Sequence, residues 1–156
     1  MIARAPTLLP LLLVLACSPV PKAPEHSPAK DLVRRFIDAQ ERVMQPTAGD
    51  PEIQSVLALL TDSIVYEHPR ARATIVGRLA YGQGLRSFVG TTRNPRITVV
   101  RALVSGPIVV TEQHLTFETE ENGVWHPSAR TQITIFDIED DRIARIVDFW
   151  QPAGSS

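Results

Sequence analysis

One carboxylate stands in an apolar stretch near the end of the sequence. Residues 145–151 read RIVDFWQ, in which Asp148 is flanked by Val147, Phe149 and Trp150. A carboxylate among such side chains either lies in solvent at the end of a sheet or is buried for a purpose. If it is buried, desolvation raises its pKa, and it can hold or deliver a proton near neutral pH. Asp148 is therefore the first candidate for general acid–base chemistry.

A phenol and an imidazole lie in an earlier segment with strand-like alternation. In SIVYEHP, residues 63–69, Tyr66 and His68 share one face. A phenol can donate a hydrogen bond to a substrate oxygen, and an imidazole can relay a proton. We predict Tyr66, His68 and Asp148 as catalytic residues. The alternative is a polar cluster in which Asp148 is satisfied by its neighbours and catalyses nothing.

Further candidates come from the alternation along residues 109–118. The more apolar face, which we expect to face the core or a pocket, carries Val109, Thr111, Gln113, Leu115 and Phe117. Gln113, Leu115 and Trp150 are predicted to line a ligand-binding pocket. Arg130 either reaches the same pocket or pairs with Glu118 or Glu120, and the spacing leaves both options open.

Metal and phosphate sites have weaker support. Glu112 and His114 lie two apart on the opposite, polar face, with His126 as a third ligand across a hairpin, but a solvated polar face is far commoner. Gly82 and Gly84 lack the preceding strand and the following Lys-Ser/Thr of a phosphate loop. We expect no metal and no cofactor.

These residues need a scaffold of helices followed by a sheet. Helical spacing runs from Asp31, which can cap the helix, to Val43, and a second short helix follows from Pro51. Residues 77–90 predict a glycine-broken loop leading into a short helix. Strand-like segments then occupy 96–106, 108–123, 124–141 and 142–150, with Gly-Pro and Asn-Gly turns between the first three. Helices gathered before a sheet predict an α+β domain whose helices pack on one face of a curved antiparallel sheet.

The N-terminus predicts export. MIARAPTLLPLLLVLAC has one positive charge at Arg4, then an apolar run too short to span a membrane, then Cys17. We predict a signal peptide at 1–16, a Pro-rich tether at 17–30, one domain at 31–151 and a tail at 152–156. The chain of 156 residues has a net charge of -1, which argues against nucleic acid as a partner.

Val14-Leu15-Ala16-Cys17 resembles the bacterial lipobox. The resemblance implies that Cys17 is acylated, for example with palmitate, and anchors the protein to a membrane of the bacterial cell envelope. Ser18 replaces the Asp that marks inner-membrane retention in enteric bacteria, so the outer membrane is favoured. The alternative is a plain signal peptide with a coincidental cysteine. A lone cysteine cannot form an intramolecular disulfide.

The order of elements resembles the nuclear transport factor 2-like fold, a cone whose bent sheet and helices enclose a pocket. Within it, the sequence is most similar to SnoaL-like and limonene epoxide hydrolase-like domains. The resemblance covers about 31–151 and rests on Tyr66-Glu67-His68-Pro69, Gly77-Arg78, Val110-Thr111-Glu112-Gln113, Ile135-Phe136-Asp137-Ile138, Arg142-Ile143 and Asp148-Phe149. Homodimers are common in this family, and the sequence leaves a homodimer open.

The resemblance implies which residues carry chemistry. In the hydrolases an Asp-Arg-Asp arrangement acts with a Tyr and an Asn that hold the attacking water. The Tyr matches Tyr66 and the last Asp matches Asp148, but His68 replaces the Asn, Gln113 the Arg and Leu115 the first Asp. Because two members of the triad are absent, epoxide hydrolysis is disfavoured. Proton transfer beside a carbonyl, as in ketosteroid isomerases and polyketide cyclases, remains open to Asp148.

Three functions are therefore compatible with the sequence. The first is a lipid-anchored SnoaL-like domain that binds a small hydrophobic molecule in its pocket. The second is an enzyme of isomerase, cyclase or hydrolase type with Asp148 as general acid and base. The third is a non-catalytic module for interactions in the envelope.

Overall fold

The computed structural model describes residues 27–150 as three α-helices and one six-stranded sheet. The predicted signal peptide, Cys17, most of the predicted tether, Gln151 and the tail lie outside the described residues. Within the described range, no helix has both the length and the apolar character needed to cross a membrane. The α+β prediction is confirmed.

Two helices begin the described chain and pack on the sheet. Helix α1 spans Pro28–Val43 and α2 spans Asp50–Leu57. Helix α1 starts before the predicted Asp31, because Pro28 occupies its first turn and Ser27 is the cap residue. The last residues of the predicted tether are thus helical. Helix α2 is stabilised at its start by the Glu52 carboxylate, which accepts a hydrogen bond of 2.8 Å from the Gly49 N–H.

The sheet combines an early strand with a long antiparallel meander. Its strands are β1 (Leu60–His68), β2 (Ala73–Val76), β3 (Thr92–Ser105), β4 (Ile108–Glu121), β5 (Val124–Glu139) and β6 (Arg142–Trp150). Their spatial order is β2-β1-β6-β5-β4-β3, and all neighbours are antiparallel except β1 and β6. The C-terminal strand therefore lies between β1 and β5.

Helix α3 spans Arg78–Phe88, between β2 and β3. The sequence predicted a glycine-broken loop before a short helix here, and β2 was not predicted at all. The helix instead continues through Gly82 and Gly84. Gly82 is buried against Leu57 of α2, where a Cβ atom would lie 2.9 Å from the Leu57 Cδ1. The glycine thus allows α3 to approach α2 closely.

The core lies between the helices and one face of the sheet. Phe36 of α1 packs edge-to-face on Phe136 of β5, with ring centroids 5.6 Å apart. Leu60, Val109 and Ile143 are fully buried beside them. The predicted Asn-Gly turn joins β4 to β5, and both Asn122 and Gly123 have positive φ, as a two-residue hairpin turn requires. This face of the sheet also carries the polar residues of the site.

Candidate functional site

Asp148 is buried on the inner face of the sheet. It lies on β6 between Ile146 and Trp150, and its relative exposure is 7%. The sequence left its direction open because Val147 and Phe149 are equally apolar. The register decides it, since Asp148 is opposite Thr134 on β5 and its neighbour Trp150 is opposite Gln132.

Two side chains of β5 hold the carboxylate. Thr134 donates its hydroxyl to the Asp148 Oδ1 at 2.7 Å, and Gln132 donates its Nε2 to the same oxygen at 3.0 Å. Gln132 Nε2 also donates to the Thr134 Oγ1 at 2.9 Å. The bonds fix the Gln132 amide so that its Oε1 points elsewhere, and this buried oxygen has no partner among the described residues.

Burial makes Asp148 reluctant to ionise. Desolvation raises the pKa of Asp148, and it outweighs the lowering effects of hydrogen bonds from Thr134 and Tyr66 and of the charges of Arg130 and His68. Tyr66 and Tyr81 respond to the same surroundings. Their pKa values are raised, mainly by burial and also by the nearby Asp148 carboxylate. A proton is therefore held at Asp148 to a higher pH than at an exposed aspartate.

The predicted phenol and imidazole lie beside the carboxylate. Tyr66 and His68 come from β1, the strand next to β6, and the Tyr66 ring lies 5.7 Å from the ring of Tyr81 on α3. The His68 Nδ1 accepts the Ala71 N–H at 3.2 Å, so in the neutral ring the proton is on Nε2. The His68 Nε2 is buried and has no partner among the described residues.

Arg130 reaches the same region from β5. Its guanidinium carbon lies 4.5 Å from the centroid of the Trp150 ring and 5.5 Å from that of Phe117. The sequence left Glu118 as an alternative partner, but Glu118 pairs with Arg93. Burial lowers the pKa of Arg130, while the charges of Asp148 and Tyr66 oppose this shift. The Arg130 Nε is buried without a hydrogen-bond partner in the part of the chain that the structure describes.

Gln113 and Leu115 extend the inner face onto β4. Both are buried, and they lie opposite Gln132 and Arg130 respectively. The Gln113 Nε2 donates to the Thr111 Oγ1 at 2.7 Å. The structure thus brings Tyr66, His68, Trp150 and Arg130 around Asp148, and places Gln113 and Leu115 on the adjoining strand. The inward direction of residues 109–117 agrees with the predicted alternation.

The sequence did not identify Gln132, Thr134 or Tyr81 as site residues. Gln132 and Thr134 alternate with exposed or half-buried neighbours on β5, as Arg130 does. An inward polar series at positions 130, 132 and 134 was the available signal. Recognising its contact with Asp148 also required the register of β5 against β6, which no local pattern specifies.

Two other regions are separate from this site. Glu112 pairs with Arg101 and His114 is exposed, while His126 lies opposite Thr119, well along the strand. Among residues 27–150, no three potential metal ligands lie together. A cavity of about 240 Å³ between α1 and the β3–β4 hairpin contains none of the predicted site residues; its lining includes Val33, Ile37, Val99, Ala102 and Val109.

Solved structures share this fold at low sequence identity. An LEH-like epoxide hydrolase from M. tuberculosis is 22% identical, with a TM-score of 0.65 over 82% of this chain and 86% of its own. A protein from Shewanella putrefaciens assigned as a SnoaL-like polyketide cyclase is 13% identical, with a TM-score of 0.70 over 81% of each chain. A protein from Kribbella flavida assigned as a ketosteroid isomerase is 20% identical, with a TM-score of 0.62 over 83% of this chain and 82% of its own.

The sequence itself identifies the family. No curated protein sequence matches it significantly. The family model described as "SnoaL-like domain" matches residues 33–146, which run from within α1 through the helices and strands that follow to Ile146 of β6. The chain therefore belongs to the SnoaL-like domain family.

Proposed function

We propose that this domain binds a small, largely apolar molecule beside Asp148 and that Asp148 moves a proton on it. The observation that carries the proposal is the buried carboxyl between two strands that supply Tyr66 and His68 on one side and Gln132 and Thr134 on the other. A buried carboxyl whose pKa is raised above that of an exposed aspartate is suited to general acid and base catalysis.

The proposed reaction is proton transfer at the carbon next to a carbonyl group. The ionised form of Asp148 takes the proton from carbon and returns it as the acid, while Tyr66 or His68 donates a hydrogen bond to the carbonyl oxygen as negative charge develops there. The names of solved relatives, a ketosteroid isomerase and a polyketide cyclase among them, are consistent with this class. Gln113 and Leu115 occupy positions at which the hydrolase resemblance requires Arg and Asp, so epoxide opening is disfavoured.

Binding without turnover is the second candidate. It is supported by the two hydrogen bonds that Thr134 and Gln132 make to one oxygen of Asp148, since a carboxyl held in this way is also suited to a purely structural role. A ligand would then occupy the site without exchanging protons.

The two candidates differ in a measurable exchange reaction. Apolar cyclic ketones such as 2-tetralone are incubated with the protein in D₂O, and NMR follows deuterium entering the carbon beside the carbonyl. We expect exchange above the buffer rate, and an Asp148→Asn loss of about 10² to 10⁴ fold. Tyr66→Phe should keep part of the rate because the base remains.

Equal rates for the wild type and Asp148→Asn would exclude the acid–base role. Ligand-dependent shifts in the NMR signals of the site without any exchange would favour the binding function instead. Asn preserves an oxygen that can accept the bonds from Thr134 and Gln132, so the variant tests the proton and not the fold.

We further propose that Cys17 is lipidated and that the domain is tethered to the bacterial outer membrane. The support is the Val14-Leu15-Ala16-Cys17 sequence, the apolar run before it and the Pro-rich stretch after it.

A further inference from the structure

Arg130 differs from several other arginines of the sheet. Arg93, Arg101 and Arg145 each form an ion pair with a carboxylate. Arg130 is half-buried against aromatic rings; the charge of Asp148 acts on it, but among the described residues its guanidinium forms no ion pair. Removing a cation from water is costly unless a counter-charge compensates for it. Stacking on Trp150 compensates for only part of this cost.

Three of the four buried side-chain atoms without partners in the described residues belong to this site. They are the Arg130 Nε, the His68 Nε2 and the Gln132 Oε1, whereas the fourth, the Thr61 Oγ1, lies near the start of β1. His68 and Gln132 have relative exposures of 7% and 6%. They lie on the strands on either side of β6, which carries Asp148 and Trp150. Buried polar atoms usually have partners, so this concentration indicates a place that a polar ligand completes.

We infer that the natural ligand is an apolar organic acid whose carboxylate binds the Arg130 guanidinium. The planar guanidinium offers paired N–H donors that match the two oxygens of a carboxylate. Trp150 and Phe117 hold its plane and provide apolar surface for the body of the ligand. A phosphate dianion fits less well, because its second negative charge would face Asp148 with no second guanidinium to compensate it.

This inference rests on the proposed function, because it names the ligand class for the same site. It also assigns separate roles to Arg130 and Asp148. Arg130 binds the permanent charge of the ligand, and Asp148 remains available for the proton. Arg130 is thus a specificity-determining residue, and its loss should affect binding more than the exchange of neutral ketones.

Matched pairs of acids and amides test the inference. Phenylacetate is compared with phenylacetamide, and cyclohexanecarboxylate with cyclohexanecarboxamide, by calorimetry or NMR titration at neutral pH. We expect each acid to bind about ten-fold or more tightly than its amide, because only the carboxylate forms charge-assisted paired hydrogen bonds with the guanidinium. Arg130→Gln should remove the preference, and Arg130→Lys should retain part of it.

Arg142→Gln is the control for net charge. Arg142 is exposed at the far end of β6, so its substitution changes the charge of the protein equally without touching the site. Equal binding of acids and amides, or the absence of acid binding, would overturn the inference. So would an acid preference that survives Arg130→Gln.

The two proposals fail in different measurements. Arg130-dependent acid binding without ketone exchange would contradict the acid–base function and leave the ligand class intact. Ketone exchange that depends on Asp148, with no preference for acids, would support the acid–base function and contradict the proposed ligand class. Asp148→Asn should still bind the acids, because the variant retains the Arg130 guanidinium.

Discussion

At the scale of single residues, the site depends on one carboxyl in an unfavourable environment. Asp148 lies beside Tyr66 and His68 from β1, Arg130 from β5 and Tyr81 from α3, all of which act on its charge or respond to it. Thr134 and Gln132 hold it in place but do not cancel the effect of burial. The arrangement favours the protonated form of Asp148, so ionisation of this carboxyl lowers the stability of the folded protein.

Because ionisation of Asp148 is unfavourable in the folded state, we predict that the free energy of unfolding depends on pH. Because the pKa of Asp148 is raised in the folded state, the folded protein binds this proton more tightly than the unfolded chain. Its contribution to the free energy of unfolding is therefore fully present below the unfolded pKa and is lost as the pH rises through the folded pKa. We expect Asp148→Asn to melt a few degrees higher than the wild type at neutral pH, and the difference to shrink towards pH 4.

Thermal melts across this pH range measure the effect. Asp38→Asn is the control, because Asp38 is exposed on α1. If the difference between Asp148→Asn and the wild type were the same at every pH, Asp148 would have no shifted pKa.

At the scale of elements, the two glycines of α3 differ in what surrounds them. A Cβ at Gly84 would lie 3.6 Å from the Ile75 Cδ1, an ordinary contact, whereas one at Gly82 would lie 2.9 Å from the Leu57 Cδ1. Neither glycine has the positive φ that would exclude another residue. The helix therefore uses Gly82 for packing, and Gly84 has no such role.

Alanine substitutions should separate the two. Gly84→Ala is expected to increase the free energy of unfolding by about 0.5–1 kcal/mol, the usual gain from replacing glycine within a helix. Gly82→Ala should be less stable than Gly84→Ala, because Leu57 must move to admit the methyl group. Denaturant unfolding of both variants measures this difference. Equal stabilisation by the two substitutions would contradict the prediction, because it would mean that the Leu57 side chain moves aside without cost.

The sequence predicted most elements and the antiparallel meander of the long strands, but not the parallel pairing of β1 with β6. Period-two alternation identified the long strands and the inward face of β4, and the Asn-Gly pair identified the β4–β5 turn. The short edge strand Ala73–Val76 was missed because four residues carry little periodic signal. The contacts of Asp148 with Thr134 and Gln132 were missed for another reason. The register between two strands depends on tertiary packing, and the sequence of either strand alone does not specify it.

At the scale of the whole molecule, the described domain is one part of the proposed lipoprotein. Expression with [³H]palmitate tests the anchor. We expect the label to enter the wild type and to be absent from Cys17→Ser. Ser18→Asp should keep the label but shift the protein to the inner membrane in an enteric host. Label in Cys17→Ser, or none in the wild type, would favour a plain signal peptide.

The position of β6 has a consequence for when the site can exist. This strand is the last of the six along the chain, yet it fits between β1 and β5 and pairs residues as distant in sequence as Tyr66 and Ile146. Such long-range pairing delays formation of the sheet until β6 is available. A nascent chain in which β6 has not yet left the ribosome has an open gap in its sheet and lacks Asp148 beside Tyr66. Docking of β6 therefore closes the sheet and brings Asp148 to its neighbours in one step.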